Sequence, residues 1–350
     1  MSHYTHHILL IFTGGTIGSV VSEGHINTAE SARFTLLKKF QQRASSPFNV
    51  HFTTRQALNM LSENLAPPAW EILIKVIETE LLSAEHSFDG IIITHGTDTL
   101  SFTAAALGLY FHALNYPMLL VSSNYPLDDA RANGVDNFYC AVDFICQGKS
   151  SGVFVPYQNP QHPMHLHAGT RLLSCLPLSS DFISLQHRHV MTYAEREFTE
   201  YHPLPAFPRK SFSLNPVFSA RILVLHPYPG MTYQAINIAN VDCVLHNLYH
   251  SGTACVSKQW GEQLSLLTFI EHCKNQGVPV YLAPMLHSSA SYESTHELIA
   301  QGAEIIWNVS LETAYAKLAL AYSNFPHATR MDFINADIAG EHVLTDSERP

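Results

Sequence analysis

The stretch Ile8-Leu9-Leu10-Ile11-Phe12-Thr13-Gly14-Gly15-Thr16-Ile17 joins an apolar run to a glycine-rich turn. A short apolar run that ends at such a turn is typical of a buried strand in a parallel sheet. Glycine lets the backbone turn sharply there and lets a small molecule approach the main chain closely. Because open α/β sheets bind ligands at the carboxyl ends of their strands, this turn is a candidate ligand site.

A second stretch repeats this arrangement later in the chain, where the apolar run Ile91-Ile92-Ile93 leads to His95-Gly96-Thr97-Asp98-Thr99. A threonine on such a turn can act as a nucleophile when a neighbouring group takes its proton. An aspartate held on the turn can pair with a cationic ligand through charge-assisted hydrogen bonds. The two stretches together therefore predict a site for a small molecule.

Length and composition limit the class of protein. A chain of 350 residues is long enough for two domains, and 46% hydrophobic with 14% charged residues indicates a folded globular protein. A net charge of -10 gives no electrostatic reason to expect nucleic acid or an anionic membrane as a partner. The six cysteines have no CxxC spacing, so we expect them to be reduced and structural.

Short apolar runs alternate with helical patterns along the chain. Strands are predicted at 7–12, 89–94, 118–123, 152–156, 220–226, 242–247, 279–284 and 303–308, and helices at 67–83, 102–115, 132–147, 264–277 and 311–323. This alternation predicts two α/β domains. The larger N-terminal one has a mainly parallel sheet with helices on both faces, and a smaller α/β domain follows it.

Composition also predicts the domain boundaries. Prolines at 203, 205, 208 and 216 indicate a connection at 201–218, between an N-terminal domain at 1–200 and a C-terminal domain at 219–350. The polar residues after about 335 predict a poorly ordered tail. The apolar run at the N-terminus is too short for a secretory signal, and no run approaches the length of a membrane helix, so we expect a cytoplasmic protein.

The two glycine-rich motifs, in this order and each after a buried-type strand, resemble those of the L-asparaginase family, in particular the bacterial threonine-dependent, type I-like cytoplasmic enzymes. The segments Tyr228–Met231 and Tyr249–Ala254 also resemble family segments, so that the similarity extends over roughly residues 5–325. The resemblance implies a small amide substrate, no metal or other cofactor, and a homodimer or homotetramer.

The resemblance also implies catalytic roles. Thr16 would attack the side-chain amide carbon of the substrate and form an acyl-enzyme while ammonia leaves. Thr97 would assist, Asp98 would hold the α-ammonium group, and backbone N–H groups around Gly96 and Thr97 could bind the oxyanion. The alternatives are that Thr13 and Thr16 only satisfy backbone groups of the turn, which we prefer for Thr13, and that Asp98 caps the next helix.

Further substrate contacts are implied at Ser62, Glu63 and Ser123. Ser62 matches the family serine that holds the α-carboxylate, although it could equally cap a helix. Glu63 departs from the family pattern, because a carboxylate there would repel the substrate carboxylate unless it is protonated or turned away. Ser123 follows the third strand, where similar segments approach the scissile amide. The stretch Arg131-Ala132-Asn133-Gly134 is interpreted as helix-start architecture.

Two family residues that activate the nucleophile are replaced. The family lysine within G-x-R-x-x-K corresponds to Ser174, and there is no lysine between Ser150 and Arg209. The loop tyrosine corresponds to His25, which could act as a base or could be an exposed loop histidine. The residues near the missing lysine that could compensate, without any order of preference among them, are His162, His165, His167 and Arg171.

These observations favour an amidohydrolase, with L-asparagine as the expected substrate. The replaced residues keep a second hypothesis open, namely a degenerate relative that binds an amino acid with little or no turnover. A third is a shifted amide substrate such as glutamine, a D-amino acid amide or a peptide-like amide. An amide-bearing transfer RNA is disfavoured, because the chain has no basic stripe.

Overall fold

The computed structural model describes residues 4–15, 17, 19–22, 25–28, 30–43, 47–83, 87–202, 204, 210–287 and 291–343, with only the backbone for 19–22, 25–28 and 30–34. The chain divides into two compact units, Met1–Ser211 and Phe212–Pro350. We call them unit 1 and unit 2. The division falls within the segment 201–218, of which residues 203 and 205–209 lie outside the described residues. The domain boundaries given above stay a prediction.

Unit 1 is built on an eight-stranded sheet with the order β10-β9-β8-β7-β6-β5-β1-β4. A separate antiparallel pair follows β1. The strands are β1 (Thr5–Gly14), β2 (Ser19–Ser22), β3 (His25–Thr28), β4 (Asn49–Met60), β5 (Gly90–Thr94), β6 (Pro117–Val121), β7 (Gly152–Gln158), β8 (Met164–Ala168), β9 (Met191–Ala194) and β10 (Glu197–Glu200). The pairings from β4 through β1, β5 and β6 to β7 are parallel, whereas those from β7 to β10 are antiparallel.

Helices cover this sheet: α1 (Glu30–Gln42), α2 (Pro67–Leu82), α3 (Leu100–Tyr110) and α4 (Gly134–Cys146). Helix α4 packs against β5, β6 and β7 together with α1, whereas α2 packs against β4 and α3 against β7. In β1, Ile8 and Leu10 belong to the core under α1 and α4. Since side chains alternate along a strand, Leu9 and Ile11 face the other layer. The sheet therefore has an apolar core on each side.

Unit 2 repeats the alternation on a smaller scale. Its parallel sheet has the order β11-β12-β13-β14, formed by β11 (Ile222–Leu225), β12 (Cys243–His246), β13 (Val280–Met285) and β14 (Glu304–Trp307). Its helices are α5 (Leu266–Asn275), α6 (Glu293–Gln301), α7 (Leu311–Asn324) and α8 (His327–Ile334). The predicted fold class is confirmed: each predicted strand and helix is present, with ends shifted by a few residues.

The prediction of a poorly ordered tail after residue 335 is wrong as far as Val343. Ile338, Glu341 and Val343 are all buried. The Glu341 carboxylate lies 2.6 Å from the Lys317 ammonium on α7, and both side chains are completely buried. It also accepts hydrogen bonds from the backbone N–H groups of Ile338 and Ala339. Polar composition was misleading here because the polar residue is an internal ion-pair partner.

The cysteines agree with the sequence analysis. All six are unpaired, and Cys140, Cys146, Cys243 and Cys273 are buried.

In the part of the chain that the structure describes, no helix combines the length and apolar character needed to cross a membrane.

Candidate active site

The strand ends that carry the predicted site lie side by side in one sheet. Phe12 of β1 pairs with Thr94 of β5, and Thr94 pairs in turn with Val121 of β6. On the other side of β1, Gly14 pairs with Met60 of β4. Because these strands are parallel, the turns after β1, β4, β5 and β6 leave from the same edge of the sheet.

The first glycine turn is pressed against its neighbours. Gly14 and Gly15 have φ angles of +103° and +77°, which favour glycine. A Cβ atom on Gly14 would lie 2.4 Å from the Met60 carbonyl oxygen, and one on Gly15 would lie 2.3 Å from the Gly96 nitrogen. The Gly15 N–H donates to the Met60 carbonyl at 3.0 Å. The two sequence motifs are therefore in direct backbone contact.

Of the two threonines in the first motif, Thr13 lies within the described residues and Thr16 does not. Thr13 is buried, and its hydroxyl donates to the Thr94 carbonyl at 2.6 Å, so it joins the ends of β1 and β5 as the structural interpretation predicts. Thr16 lies outside the described residues, as does the side chain of His25. Thr16 is flanked by Gly15 and by Ile17, whose side chain is buried. The roles of Thr16 and His25 stay predictions.

Ser62 and Asp98 are brought together by the close approach of the next two turns. The Ser62 hydroxyl donates to the Asp98 carboxylate at 3.0 Å and accepts the Asp98 backbone N–H at 3.2 Å. A Cβ atom on Gly96 would lie 2.4 Å from the same hydroxyl oxygen, so glycine is required there for the contact. Ser62 is buried, whereas Asp98 is exposed.

This geometry removes the helix-cap alternatives for both residues. Helix α3 begins at Leu100 with Thr99 at its N-cap, and the Thr99 hydroxyl donates to the Ser62 carbonyl at 3.0 Å. Helix α2 has Ala66 at its N-cap. Asp98 thus presents an exposed carboxylate, fixed on a tight turn, that can pair with a cation. Thr97, next to it, is half-buried, and Glu63 on the short 3-10 turn Ser62–Asn64 is exposed.

His95 supports the second motif and was missed by the sequence analysis. Its ring is buried, and Nδ1 lies 2.8 Å from the Gly96 carbonyl oxygen. Burial lowers the pKa of His95 to about 4, against a smaller opposing effect of the Gly96 contact and of the Asp98 charge. The ring is therefore neutral at pH 7 and orients the backbone from which Thr97 and Asp98 project. Its position between a strand and a glycine was the available signal.

Ser123 is not hydrogen-bonded to the other predicted site residues among the contacts of the described chain. Its hydroxyl donates to the Tyr125 carbonyl at 2.5 Å within its own turn. A Cβ atom on Gly134 would lie 2.7 Å from Ser123, so this turn packs on the start of α4. Asn133 exchanges hydrogen bonds with Asn124 at 2.9 and 3.0 Å, which confirms the helix-start interpretation of that stretch. The substrate role of Ser123 stays a prediction.

Ser174 packs near the second motif through α3. Its hydroxyl lies 3.2 Å from that of Ser101 in the first turn of α3. A Cβ atom on Gly108 of α3 would lie 2.7 Å from Thr170, which shows how closely the Gly169–Arg171 segment packs on this helix. Burial, then the charges of Asp181 and Asp98, raise the pKa of the neighbouring Cys175 thiol. Ser174, which the resemblance aligns with the family lysine, thus places a neutral hydroxyl beside α3.

The four residues suggested to compensate for the missing lysine differ in burial and in pKa. Burial, together with neighbouring histidines, lowers the pKa of His165 and that of His167, the latter to about 3. Both shifts favour the neutral imidazole. His162 is exposed and Arg171 is buried.

Comparison with known proteins places this geometry in a family. Residues 7–198, more than half of the chain, match the family model described as "Asparaginase, N-terminal". The chain is 24% identical over 348 residues to a glutamyl-tRNA(Gln) amidotransferase subunit from Thermoplasma volcanium, covering 95% of this chain and 80% of that protein. It is 25% identical over 361 residues to the corresponding protein from Aeropyrum pernix, covering 96% and 80%.

Solved structures share the fold. The thermostable L-asparaginase from Thermococcus kodakarensis superposes with a TM-score of 0.79 at 21% identity, covering 97% of this chain and 100% of that one. L-asparaginase I from Vibrio cholerae gives 0.76 at 22% identity, with 97% and 100% coverage. The strand-end turns lie in the matched segment, and the chain belongs to the asparaginase family.

Proposed function

We propose that this protein is an amidohydrolase similar to the bacterial type I L-asparaginases, which hydrolyses L-asparagine to L-aspartate and ammonia. The observation that carries the proposal is the contact of three strand-end turns, in which Gly15 abuts Gly96 and Ser62 is hydrogen-bonded to Asp98. A hydroxyl and an exposed carboxylate are thereby close to Gly15, the residue before Thr16 in the chain. Two polar anchors next to a nucleophile suit a small zwitterionic amide.

The proposed reaction has two steps. The Thr16 hydroxyl oxygen adds to the side-chain amide carbon, the C–N bond breaks, and the nitrogen leaves as ammonia after taking a proton. Water then attacks the threonine ester, releasing aspartate and restoring the hydroxyl. Thr97 assists these proton transfers, and backbone N–H groups around Gly96 and Thr97 stabilise the oxyanion. No cofactor enters this scheme.

Asp98 and Ser62 position the substrate in this proposal. Asp98 pairs with the α-ammonium group, and Ser62 and Ser123 contribute hydroxyl groups to the polar end and the amide end of the substrate. Glu63 is exposed beside Ser62, and we propose that it faces the α-ammonium side and turns away from the α-carboxylate. The protein is further proposed to act in the cytoplasm as a homodimer or homotetramer.

A specific observation favours a second candidate. Ser174 is neutral and bonded to Ser101, so this position lacks the cationic activator that the family resemblance implies. The candidate is a degenerate relative that binds an amino acid but turns it over slowly or not at all. The relatives that are glutamyl-tRNA(Gln) amidotransferase proteins also keep an amide other than asparagine open as the substrate. A net charge of -10 disfavours a direct contact with transfer RNA.

The test is ammonia release by the purified protein from L-asparagine and, in parallel, from L-glutamine. We expect release from asparagine that disappears in Thr16→Ala and persists in Thr54→Ala, a matched substitution at an exposed threonine of β4. Release from neither amide, with asparagine binding detected by calorimetry, would favour the degenerate binder. Equal activity of Thr16→Ala and the parent protein would refute the threonine mechanism.

A further inference from the structure

An unusual group of rings lies at the antiparallel side of unit 1. His189, just before β9, is stacked between His165 of β8 and Tyr201, which follows β10. The centroids of His165 and His189 are 4.0 Å apart with an interplanar angle of 5°, and those of His189 and Tyr201 are 4.6 Å apart at 17°. We call these three rings the histidine stack. His167 and His202 make edge contacts with it.

Burial and neighbouring positive charges disfavour protonation of the imidazoles in the stack, and the hydrogen bond of His189 with the His187 backbone offsets only part of this effect on the pKa of His189. The ionisable groups whose charges act on these histidines are themselves cationic or become so: His162 on His165, and Arg171 and Arg188 on His202. Glu200, at the end of β10, is exposed. Within the described part of the chain, the Nε2 atoms of His167 and His189 are buried without a hydrogen-bond partner. His187, two residues before His189, is also exposed.

The stack lies next to residues 184–190, a segment whose backbone conformation is unfavourable at Gln186 and His187. Gln186 and His187 both have positive φ angles, near +58°, which side-chain-bearing residues rarely adopt. Such a conformation persists only where surrounding contacts enforce it. The contacts around this segment include the stack, in which His189 takes part, and the hydrogen bond at 2.8 Å between His167 Nδ1 and the Ser184 hydroxyl.

The same segment continues toward the candidate active site. Ser184 forms an antiparallel bridge with Leu172, and the Leu173 N–H donates to the Ile183 carbonyl at 3.0 Å. Ser174 comes next and contacts Ser101 at the start of α3. Adjacent backbone contacts therefore connect residues 184–190 with the Ser174 position.

We propose that the histidine stack is a proton-operated latch, a contact that is broken by protonation. It holds residues 172–202 in place while its rings are neutral, and it releases them when the stack has to carry two protons. Two positive charges on the rings of His165 and His189, whose centroids are 4.0 Å apart, repel each other strongly. None of the described contacts of these two rings involves a carboxylate that could offset the repulsion. The release of the segment does not depend on the proposed function. Slower ammonia release in acid is the expected consequence of releasing the segment, and this consequence rests on the proposed function.

The direction of the pH dependence follows from the pKa changes. Burial, and then the neighbouring histidines, lower the pKa of His189 to about 4 and that of His167 to about 3, from an ordinary value of 6.5. The open segment therefore binds more protons than the closed one below pH 6.5. The latch is fully closed above that pH and is progressively lost as the pH falls toward 4.

The test is hydrogen-deuterium exchange followed by mass spectrometry on the full chain between pH 7.5 and 4, with rates corrected for the intrinsic effect of pH. We expect peptides from 172–202 to lose protection below pH 6.5, and to do so at a higher pH than β5. His189→Phe keeps a flat ring that cannot be protonated. We expect it to move the midpoint of this loss down by roughly 0.5 pH unit or more.

His165→Phe gives the same test from the other ring, should His189→Phe fail to fold. His250→Phe, at an exposed histidine of unit 2, is the matched control and should follow the parent protein. A midpoint unchanged in both His189→Phe and His165→Phe would overturn the latch. So would simultaneous loss of protection in β5, since the segment would then be unfolding with the whole of unit 1. If exchange behaves as expected but ammonia release is absent at every pH, the latch stands and the proposed function fails.

Discussion

Two carboxylates in this protein are held by hydrogen bonds, yet in opposite surroundings. Glu341 in unit 2 is completely buried, with the Lys317 ammonium at 2.6 Å and backbone N–H donors around it. Asp98 in unit 1 is exposed and is held by the Ser62 hydroxyl on a turn that glycine makes possible. A carboxylate with its own internal cation is satisfied within the fold. One that is fixed in place, with its open side to solvent, is available to the cation of a ligand.

The largest expected effect is on catalysis. Asp98→Ala removes the proposed partner of the α-ammonium group, so kcat/KM for ammonia release from asparagine should fall about a thousandfold. Because Asp98 is exposed, we expect the free energy of unfolding to change by less than about 1 kcal/mol. Steady-state kinetics and a chemical denaturation curve measure the two quantities. Unchanged kinetics would remove Asp98 from the site.

The opposite result is expected at the other carboxylate. Lys317→Met leaves Glu341 buried without its cation, and the free energy of unfolding should decrease by about 3–5 kcal/mol. Denaturant titration of the purified variant measures this loss. The double variant Lys317→Met with Glu341→Leu should recover most of it, because no buried charge remains. A single variant as stable as the parent would mean that the pair contributes nothing.

A smaller effect is expected from placing a cation at Ser174, which the resemblance aligns with the family lysine. Ser174→Lys places an ammonium group beside the first turn of α3, and we expect kcat for asparagine to rise about tenfold through electrostatic assistance to the nucleophile. Ser174→Met has a similar length without the charge and serves as the control. Equal rates in both variants would show that side-chain size, rather than charge, matters at this position.

The smallest expected effect is a difference between the pH values at which the two units lose stability in acid. Burial opposes ionisation of Glu341, but the Lys317 charge and hydrogen bonds outweigh it and hold the pKa well below 4.5. Its contribution to stability is therefore complete above about pH 4.5 and is lost as the pH falls below that value. The pKa of His95 is lowered to about 4 by burial, so unit 1 begins to lose stability already below pH 6.5.

Peptide-resolved hydrogen exchange distinguishes these windows. Protection in β5 of unit 1 should weaken at higher pH than protection in α7 of unit 2, and the segment 172–202 should precede both. Loss of protection in α7 at the same pH as in β5 would show that the two units unfold together. In that case the two carboxylates would affect the stability of the whole chain rather than that of separate units.

The sequence predicted the central strands well because their signal is local. Runs such as Ile8–Phe12 and Ile91–Ile93 are buried on both faces, so apolar composition alone identifies them. It failed to predict β4, an edge strand in which residues such as Arg55 and Gln56 are exposed, and the antiparallel strands β8 to β10. Those strands depend on pairing with β7, and their histidines and short length give no strand pattern on their own.

The predicted site divides in the same way. The motifs containing Gly15, Gly96 and Asp98 were recognisable because a sharp turn after a buried strand needs particular residues. The support given by His95, and the use of the Ser123 hydroxyl within its own turn, could not be predicted, since they depend on which carbonyl groups lie nearby. The burial of Glu341 was missed for the same reason, as its partner Lys317 is distant in sequence.

The sequence by itself determined that this chain folds into two α/β units and belongs with proteins that carry glycine turns at strand ends. Backbone preference and hydrophobic burial are properties of neighbouring residues, so they can be read from the chain. Only the tertiary structure decided that Ser62 would meet Asp98, that Ser174 would meet Ser101, and that His165, His189 and Tyr201 would stack. Each of these contacts joins separate elements, and its geometry is set by how the strands pair and how the helices pack.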